Sequence, residues 1–368
     1  MIVIVGAGIG GLALAAGLDQ AGLDYRVYEA ADRFDDVGAA IKVWPNGIRG
    51  LRQLGVGDAV EEAGITIRRG EILAPDGSLL TETPLDELGL DAPLVSLHRA
   101  ELHRAIAQCV PDERIITGCR VTGVVEAGGR AELQFEDRAG EKGELVVGAD
   151  GMRSAVRTYV EPEADLAYAG RISWLTTVPF DSRRFDPHQS HEIQGRGQRF
   201  GWSFVEEGVA GWYANFNAEE DDRPTGSLRE ELLGRFGGWP EPVESLISSA
   251  EDDSIIRTPI YFGETLERWT RGRVTLLGDA AHPMTPDLAQ GACQAIEDAA
   301  VLVDELREAA SPDALDRYES RRKERAREVA ERSKMLGRIS NWESQVACWL
   351  RKKMFQWTPS SVGHDQFR

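Results

Sequence analysis

The chain opens with an uninterrupted apolar run, Ile2–Val5. A glycine-rich turn, the Leu- and Ala-rich stretch 12–18 and a second short run at Tyr25–Tyr28 follow. A run without polar alternation is the pattern of a strand buried on both faces. The order strand, tight turn, helix, strand predicts a βαβ unit that starts a doubly wound parallel sheet. Residues 44–63, "WPNGIRGLRQLGVGDAVEEA", break at glycines and predict short helices, and 99–109, "RAELHRAIAQC", carries an amphipathic helical period. Strands are expected in "RIITGCRVTGVVEA", "AELQFED" and "GELVVGAD". From 165 to 217 the chain becomes rich in Trp, Phe and Tyr and the period falls to two. Phe200, Trp202 and Phe204 share one face of a strand that a Glu-Glu-Gly turn closes into a hairpin, so a second, largely antiparallel sheet is expected there. The chain returns to the first sheet at "RGRVTLLGDAAHP". It ends in helices at about 290–308, 312–335 and 341–356.

Composition narrows this picture. A chain of 368 residues can hold two domains and a large core. A net charge of −19 repels nucleic acid and anionic membranes. No apolar run is long enough to cross a bilayer, and the apolar start has no basic leader, which points to the cytoplasm. The basic run "RYESRRKERAREVAERSK" is mixed with Glu and reads as one solvated helix face. The four cysteines form no CxxC pair, so neither a disulfide framework nor a thiolate metal site is expected. His188 and His191 lack a third ligand nearby and read as surface histidines.

Three strand ends carry glycine with a carboxylate. Gly6-Ala7-Gly8-Ile9-Gly10-Gly11 satisfies GxGxxG between a strand and a helix, and Glu29 ends the next strand, where it can accept both hydroxyls of a ribose. The fingerprint serves NAD and FAD alike. Asp150-Gly151 follows the apolar strand of "VVGADGMRSAVR", and Gly278-Asp279 follows that of "RVTLLGDAAHP". Carboxylates at those strand ends suit ribityl or ribose hydroxyls rather than phosphate, which favours FAD.

This ordered set resembles the class A FAD-dependent aromatic hydroxylases, the para-hydroxybenzoate hydroxylase-like flavoprotein monooxygenases, over essentially the whole chain. The resemblance implies an α/β fold, with a Rossmann-like FAD-binding domain (1–70, 98–163 and 265–310), an inserted, mainly antiparallel β-sheet substrate domain (71–97 and 164–264) and C-terminal helices (311–368). It implies hydroxylation of an aromatic or heteroaromatic ring with NADH or NADPH and O2, through a flavin C4a-hydroperoxide. Gly6, Gly8, Gly10, Gly11, Glu29, Ala30, Lys42, Arg99, Val121, Asp150 and Asp279 would bind FAD, with Asp279 on the ribityl chain. Asp150 would belong to a motif shared with the transient NAD(P)H. "VGAAIKVWPNGIRGLRQLGVGD" is similar to the corresponding stretch of the FAD-dependent urate hydroxylases. By that likeness Arg199 and Tyr213 would meet substrate, and Asp287 would lie in the adjoining loop. Ser173 stands where that subgroup has Asn, and Ala289-Gln290-Gly291-Ala292 where it has Gly-Gln-Gly-Gly.

Residues Ala289, Gln290, Gly291, Ala292 and Cys293 are expected along the flavin ring, at a helix N-terminus whose amides favour negative charge. Asp287 would take a proton from substrate, or else cap that helix. His282 is expected to make a structural hydrogen bond. The aromatic sheet with Trp174, Trp202, Trp212 and Tyr213 would exclude water, although Trp202 and Phe204 read as ordinary core rather than cavity wall. The likeness leaves open a monomer or homodimer, a dehydrogenase or reductase without oxygen insertion, and a flavin-binding regulator.

Overall fold

The computed structural model describes residues 1–34, 39–181, 183–224 and 226–357. Val37 and Gly38 of the urate-hydroxylase-like stretch, and 358–368 of the expected C-terminal region, lie outside the described residues. In chain order, β1 (Ile2–Val5), α1 (Ile9–Gln20) and β2 (Tyr25–Tyr28) precede β3 (Ala40–Val43), α2 (Pro45–Gln53), α3 (Gly57–Ala63) and β4 (Ile65–Ile67). Next come β5 (Arg69–Leu73), β6 (Leu79–Pro84), β7 (Leu94–His98), α4 (Arg99–Ala107), β8 (Ile115–Ile116), β9 (Val121–Ala127), β10 (Arg130–Phe135), β11 (Glu141–Gly143), β12 (Leu145–Gly148) and α5 (Ala155–Val160). The middle holds β13 (Leu166–Pro179), β14 (Gln189–Gln194), β15 (Gln198–Glu206), β16 (Val209–Asn217), α6 (Leu228–Phe236), α7 (Val243–Ser248) and β17 (Ile256–Gly263). The chain closes with β18 (Thr270–Arg271), β19 (Val274–Leu276), α8 (Gly291–Glu308), α9 (Pro312–Ser340) and α10 (Gln345–Trp357).

Two large sheets organise these elements. The first has the order β18-β19-β12-β1-β2-β8. Its strands β19, β12, β1, β2 and β8 run parallel, so their carboxyl ends share one edge. The fully buried strand β1 accounts for the unbroken apolar run at the start of the sequence. Gly6 takes φ +99°, and a β-carbon on Gly11 would lie 2.0 Å from Gly6 O, so the turn into α1 needs both glycines. The second sheet has the order β17-β13-β16-β15-β14-β5-β6 and is antiparallel except where β14 meets β5. A small sheet, β3-β7-β4, lies between them, and a β-carbon on Gly211 of β16 would be 2.3 Å from Ala40 Cβ of β3.

The period-two pattern of the second sheet sorts its residues onto two different surfaces. Phe200, Trp202, Phe204, Trp174 and Trp212 pack with Leu232 and Phe236 of α6 and Leu246 of α7 in one apolar core. These tryptophans therefore hold the sheet to its own helices, as read for Trp202 and Phe204, while the expectation that Trp174 and Trp212 wall the substrate site is corrected: of that aromatic group only Tyr213 faces the other way. His191 is also corrected, because it is buried on the apolar side and stacks on Trp202 with ring centroids 4.4 Å apart. Burial, with the nearby Lys42 charge, pushes its imidazole down to about 4.

Candidate active site

The common carboxyl edge of the parallel sheet gathers the three motifs. Gly8 opens α1, and among the described residues no side chain caps that helix and, chain neighbours aside, no atom lies within 4 Å of where a Gly8 β-carbon would be. The backbone there is open to a close pyrophosphate. The Glu29 carboxylate accepts from the amides of Ala7 (2.7 Å) and Ala31 (2.8 Å), which fixes it beside the glycine turn. Cys119 N donates to Glu29 O, and Gly118 N to Ala31 O, so the approach to Val121 runs alongside Ala30. Arg99 begins α4 with an exposed side chain.

Asp150 and Asp279 behave differently from one another. Asp150 accepts from Ser154 Oγ (2.5 Å) and from the amides of Ala155 (2.7 Å) and Val156 (3.2 Å), so its carboxylate is turned into its own loop and holds the start of α5. Asp279 lies in the 3-10 turn Gly278–Ala280, and no donor among the described residues hydrogen-bonds its carboxylate. Burial raises its pKa against the charges of His282, Arg157 and Arg99. Asp279 is half-buried at the strand end, so its carboxylate takes its donors from solvent or a ligand, and the ribityl hydroxyls of FAD are donors of the right kind. Arg157 joins the two loops, donating to Asp279 O (2.6 Å), Ala280 O (2.7 Å) and Met152 O (2.9 Å). Together with the open backbone at Gly8, this donor set fits FAD.

A buried polar network supports that cradle. Asp298 of α8 accepts from the Gly278 amide (3.0 Å), pairs with His282 Nε2 (2.6 Å) and accepts from Arg322 Nε (2.7 Å). Burial alone would raise the Asp298 pKa, but His282 and Arg322 outweigh it and bring the carboxyl down to about 2. Glu297 accepts from Asn46 Nδ2 (2.5 Å), Arg322 and Arg325. Arg322 is only 3% exposed, so the basic run is not one solvated face. It continues the stripe of α9 made by Leu315, Tyr318, Ala326 and Val329, a helical period that was there to be read. His282 makes its structural bond to Asp298 of α8, not to the loop it sits in.

The start of α8 follows. Gln290 is its N-cap residue, but the Gln290 side chain accepts from Asn46 Nδ2 (2.9 Å) and leaves the helix uncapped. No acidic residue occupies the first turn, which begins Gly291-Ala292-Cys293, and Ala289 takes φ +50° to aim the chain into it. Cys293 Sγ accepts from the Trp44 amide, and burial raises the thiol to about 12, so it packs against α2 and does not ionise.

Asp287 is where the structure departs most from expectation. It caps no helix. Arg171 Nη1 and Nη2 bind its two oxygens at 2.8 and 2.9 Å, and Arg199 Nη2 binds Oδ1 at 2.5 Å. Its side chain has no exposed surface. Burial would raise its pKa, yet the two guanidiniums hold it below the usual carboxylate range. Asp287 is therefore an anchor for Arg199 and a poor proton acceptor. A β-carbon on Gly337 of α9 would lie 2.1 Å from Asp287 Oδ2, so the helix closes directly over this pair.

Arg199 and Tyr213 lie on the polar face of the second sheet with Ser190, Glu192 and Gln194, none of which stood out in the sequence. The Tyr213 hydroxyl donates to Glu192, Gln194 Nε2 donates to Glu192 Oε1 (2.6 Å), and Arg199 Nη1 is 3.8 Å from that oxygen. Burial and then Glu192 hold the Tyr213 phenol protonated, while Glu192 and Asp287 keep Arg199 charged against its burial. Lys42, expected at the cofactor, reaches across from β3 to Ser190 Oγ (2.5 Å), and burial lowers its pKa to about 8.

Comparison with known proteins agrees with this geometry. A family described as an FAD binding domain matches residues 1–333. The aurachin C monooxygenase/isomerase of Stigmatella aurantiaca is 38% identical over 360 residues, covering 96% of this chain and 93% of its own. The FAD-dependent urate hydroxylase of Klebsiella pneumoniae is 35% identical over 345 residues, covering 89% and 87%. A crystal structure of Klebsiella pneumoniae HpxO complexed with FAD and uric acid superposes with a TM-score of 0.93 at 31% identity, covering 100% of this chain and 96% of that one. No helix among the described residues is long and apolar enough to cross a membrane. The chain belongs to the FAD-binding domain family and is an FAD-dependent aromatic monooxygenase.

Proposed function

We propose that the enzyme hydroxylates a small, planar, electron-rich ring that carries an acidic O–H or N–H, a urate-like heteroaromatic or a phenol, with NAD(P)H as reductant and O2 as co-substrate. The observation that carries this reading is Arg199. Its guanidinium is 3% exposed, permanently charged and clamped by Asp287 on a polar sheet face, where it favours the anionic form of a ring. FAD supplies the redox chemistry when bound, held by the glycine turn, Glu29 and Asp279, with the uncapped start of α8 favouring negative charge near it. The residues of this chain bind and orient the ring, keep water from it and place its proton. Such use of NAD(P)H suits a cytoplasmic enzyme.

The test is NAD(P)H oxidation by the FAD-loaded protein, screened over urate, phenols and salicylates, with products analysed after turnover in 18O2. One ring should stimulate oxidation at least about tenfold and carry one labelled oxygen. An unlabelled product, or no stimulation by any ring, would sink the reading.

A further inference from the structure

The polar sheet face holds two carboxylates that could accept a proton, and the structure separates them. Both Asp287 oxygens are taken by Arg171 and Arg199, and the side chain has no exposed surface. The Glu192 side chain is 22% exposed. Among the described residues it accepts one hydrogen bond on each oxygen, from Gln194 and from Tyr213, and a carboxylate oxygen can accept two. Tyr213 reaches Glu192 from β16 only by lying across β15 at Gly201, where a β-carbon would stand 2.3 Å from Tyr213 Cε1. The charged and titratable groups around Glu192 come from four further elements. They are Lys42 of β3, Arg199 of β15 with Asp287 behind it, Tyr213 of β16, and Arg351 of α10, which donates to Gly195 O (2.6 Å) at the end of β14.

We propose that Glu192 is a catalytic residue of this enzyme, taking the proton from the ring O–H or N–H of the bound substrate while Arg199 holds the resulting anion. The inference rests on the ring-hydroxylase reading above. In this step the ring O–H or N–H bond breaks and its electron pair stays on the ring. The proton passes to a Glu192 oxygen, and no electron is exchanged. The Tyr213 hydroxyl, donating to the same carboxylate, orients it toward the ring, and Lys42 offsets its charge.

The experiment measures kcat/KM against pH with a ring that the wild-type protein turns over, urate first and a phenol second. Glu192→Gln should retain FAD, seen as an unchanged flavin absorbance per chain. Below the ring's own pKa its kcat/KM should fall about 100-fold, with the deficit closing as pH rises through that pKa and the ring ionises unaided. Tyr213→Phe removes the donor that orients the carboxylate, so its kcat/KM should fall about 10-fold below the ring's pKa and recover above it. Difference absorbance of the ring bound to oxidised protein, without NAD(P)H, should show the anion with wild type and the neutral ring with Glu192→Gln at the same pH. A wild-type pH profile in Glu192→Gln, or, if that variant fails to hold FAD, a wild-type pH profile in Tyr213→Phe, overturns the assignment. A wild-type protein that no ring stimulates overturns the hydroxylase reading itself.

Discussion

A β-carbon at position 201 would stand 2.3 Å from Tyr213 Cε1 and 2.6 Å from its hydroxyl. Both belong to a ring held between strands, so Gly201→Ala must push the phenol off Glu192. Displacements near 1 Å can cost about 100-fold in rate. Gly201→Ala should therefore lower kcat/KM by about 10- to 100-fold while flavin content stays at the wild-type level, because Gly201 is remote from the glycine turn. Unchanged kinetics would remove Tyr213 from the site. Asp298 has a different signature. Its folded pKa, about 2, lies below the unfolded value of 3.8. The stability it contributes, about 2 kcal/mol, is complete above pH ~4 and lost as pH falls toward 2. Asp298→Asn should lose about 3–5 kcal/mol at neutral pH by leaving Arg322 without its buried partner. Its melting temperature should also vary less than the wild-type value between pH 4 and 2. An equally steep acid limb in the variant would place that dependence elsewhere.

Among the elements, α9 touches both large sheets, and its role turns on two positions. Arg322 grips Asp298 and Glu297 of α8, while Gly337 lets the helix close over Arg171 and Asp287. Gly337→Ala gains about 1 kcal/mol of helix propensity. It also sets a carbon 2.1 Å from Asp287 Oδ2 and 2.5 Å from Arg171 Nη2, and disturbing a buried pair costs about 3–5 kcal/mol. The loss wins, so a net destabilisation of about 2 kcal/mol or more is expected in urea unfolding, together with a raised KM as Arg199 loosens. A stabilised variant would show that the pair can move aside. The same elements mark how far the sequence could be read. The βαβ start, the glycine turn, Glu29 and the hairpin at Phe200–Phe204 rest on local period and turn chemistry, which the chain displays directly. The polar face of β14 was hidden, because Ser190, Glu192 and Gln194 look like a solvated edge until β3 brings Lys42 over them. Asp287 was legible as a charged loop residue, but its two arginines come from β13 and β15, more than 80 residues away, and nothing local announces such pairing. Arg322 sat on a visible buried stripe, and reading charge before period concealed it.

For the whole molecule, the cradle proposed for FAD draws on strands that the chain visits at its start, middle and end, so cofactor and fold are expected to stabilise each other. A ligand at 100 times its Kd adds about 2.7 kcal/mol to the native state. A chain of 368 residues unfolds with roughly 0.8 kcal/mol per kelvin of entropy at its midpoint. FAD at that excess should therefore raise the melting temperature of the apoprotein by about 3–4 °C, with a further rise of about 2 °C for each tenfold more. Arg157 tests whether the loops act together. It carries no contact from one large sheet to the other, but its three short hydrogen bonds tie the turn after β12 to the turn after β19. Arg157→Leu leaves the Asp279, Ala280 and Met152 carbonyls without that donor, which lowers the melting temperature of the apoprotein itself. It also frees Asp279 from its position at the strand end. The variant should then show little rise with FAD over the concentrations that shift the wild type. A rise of the same size at the same FAD concentration would mean that the glycine turn and Glu29 bind the cofactor by themselves, and that Asp279 contributes no affinity.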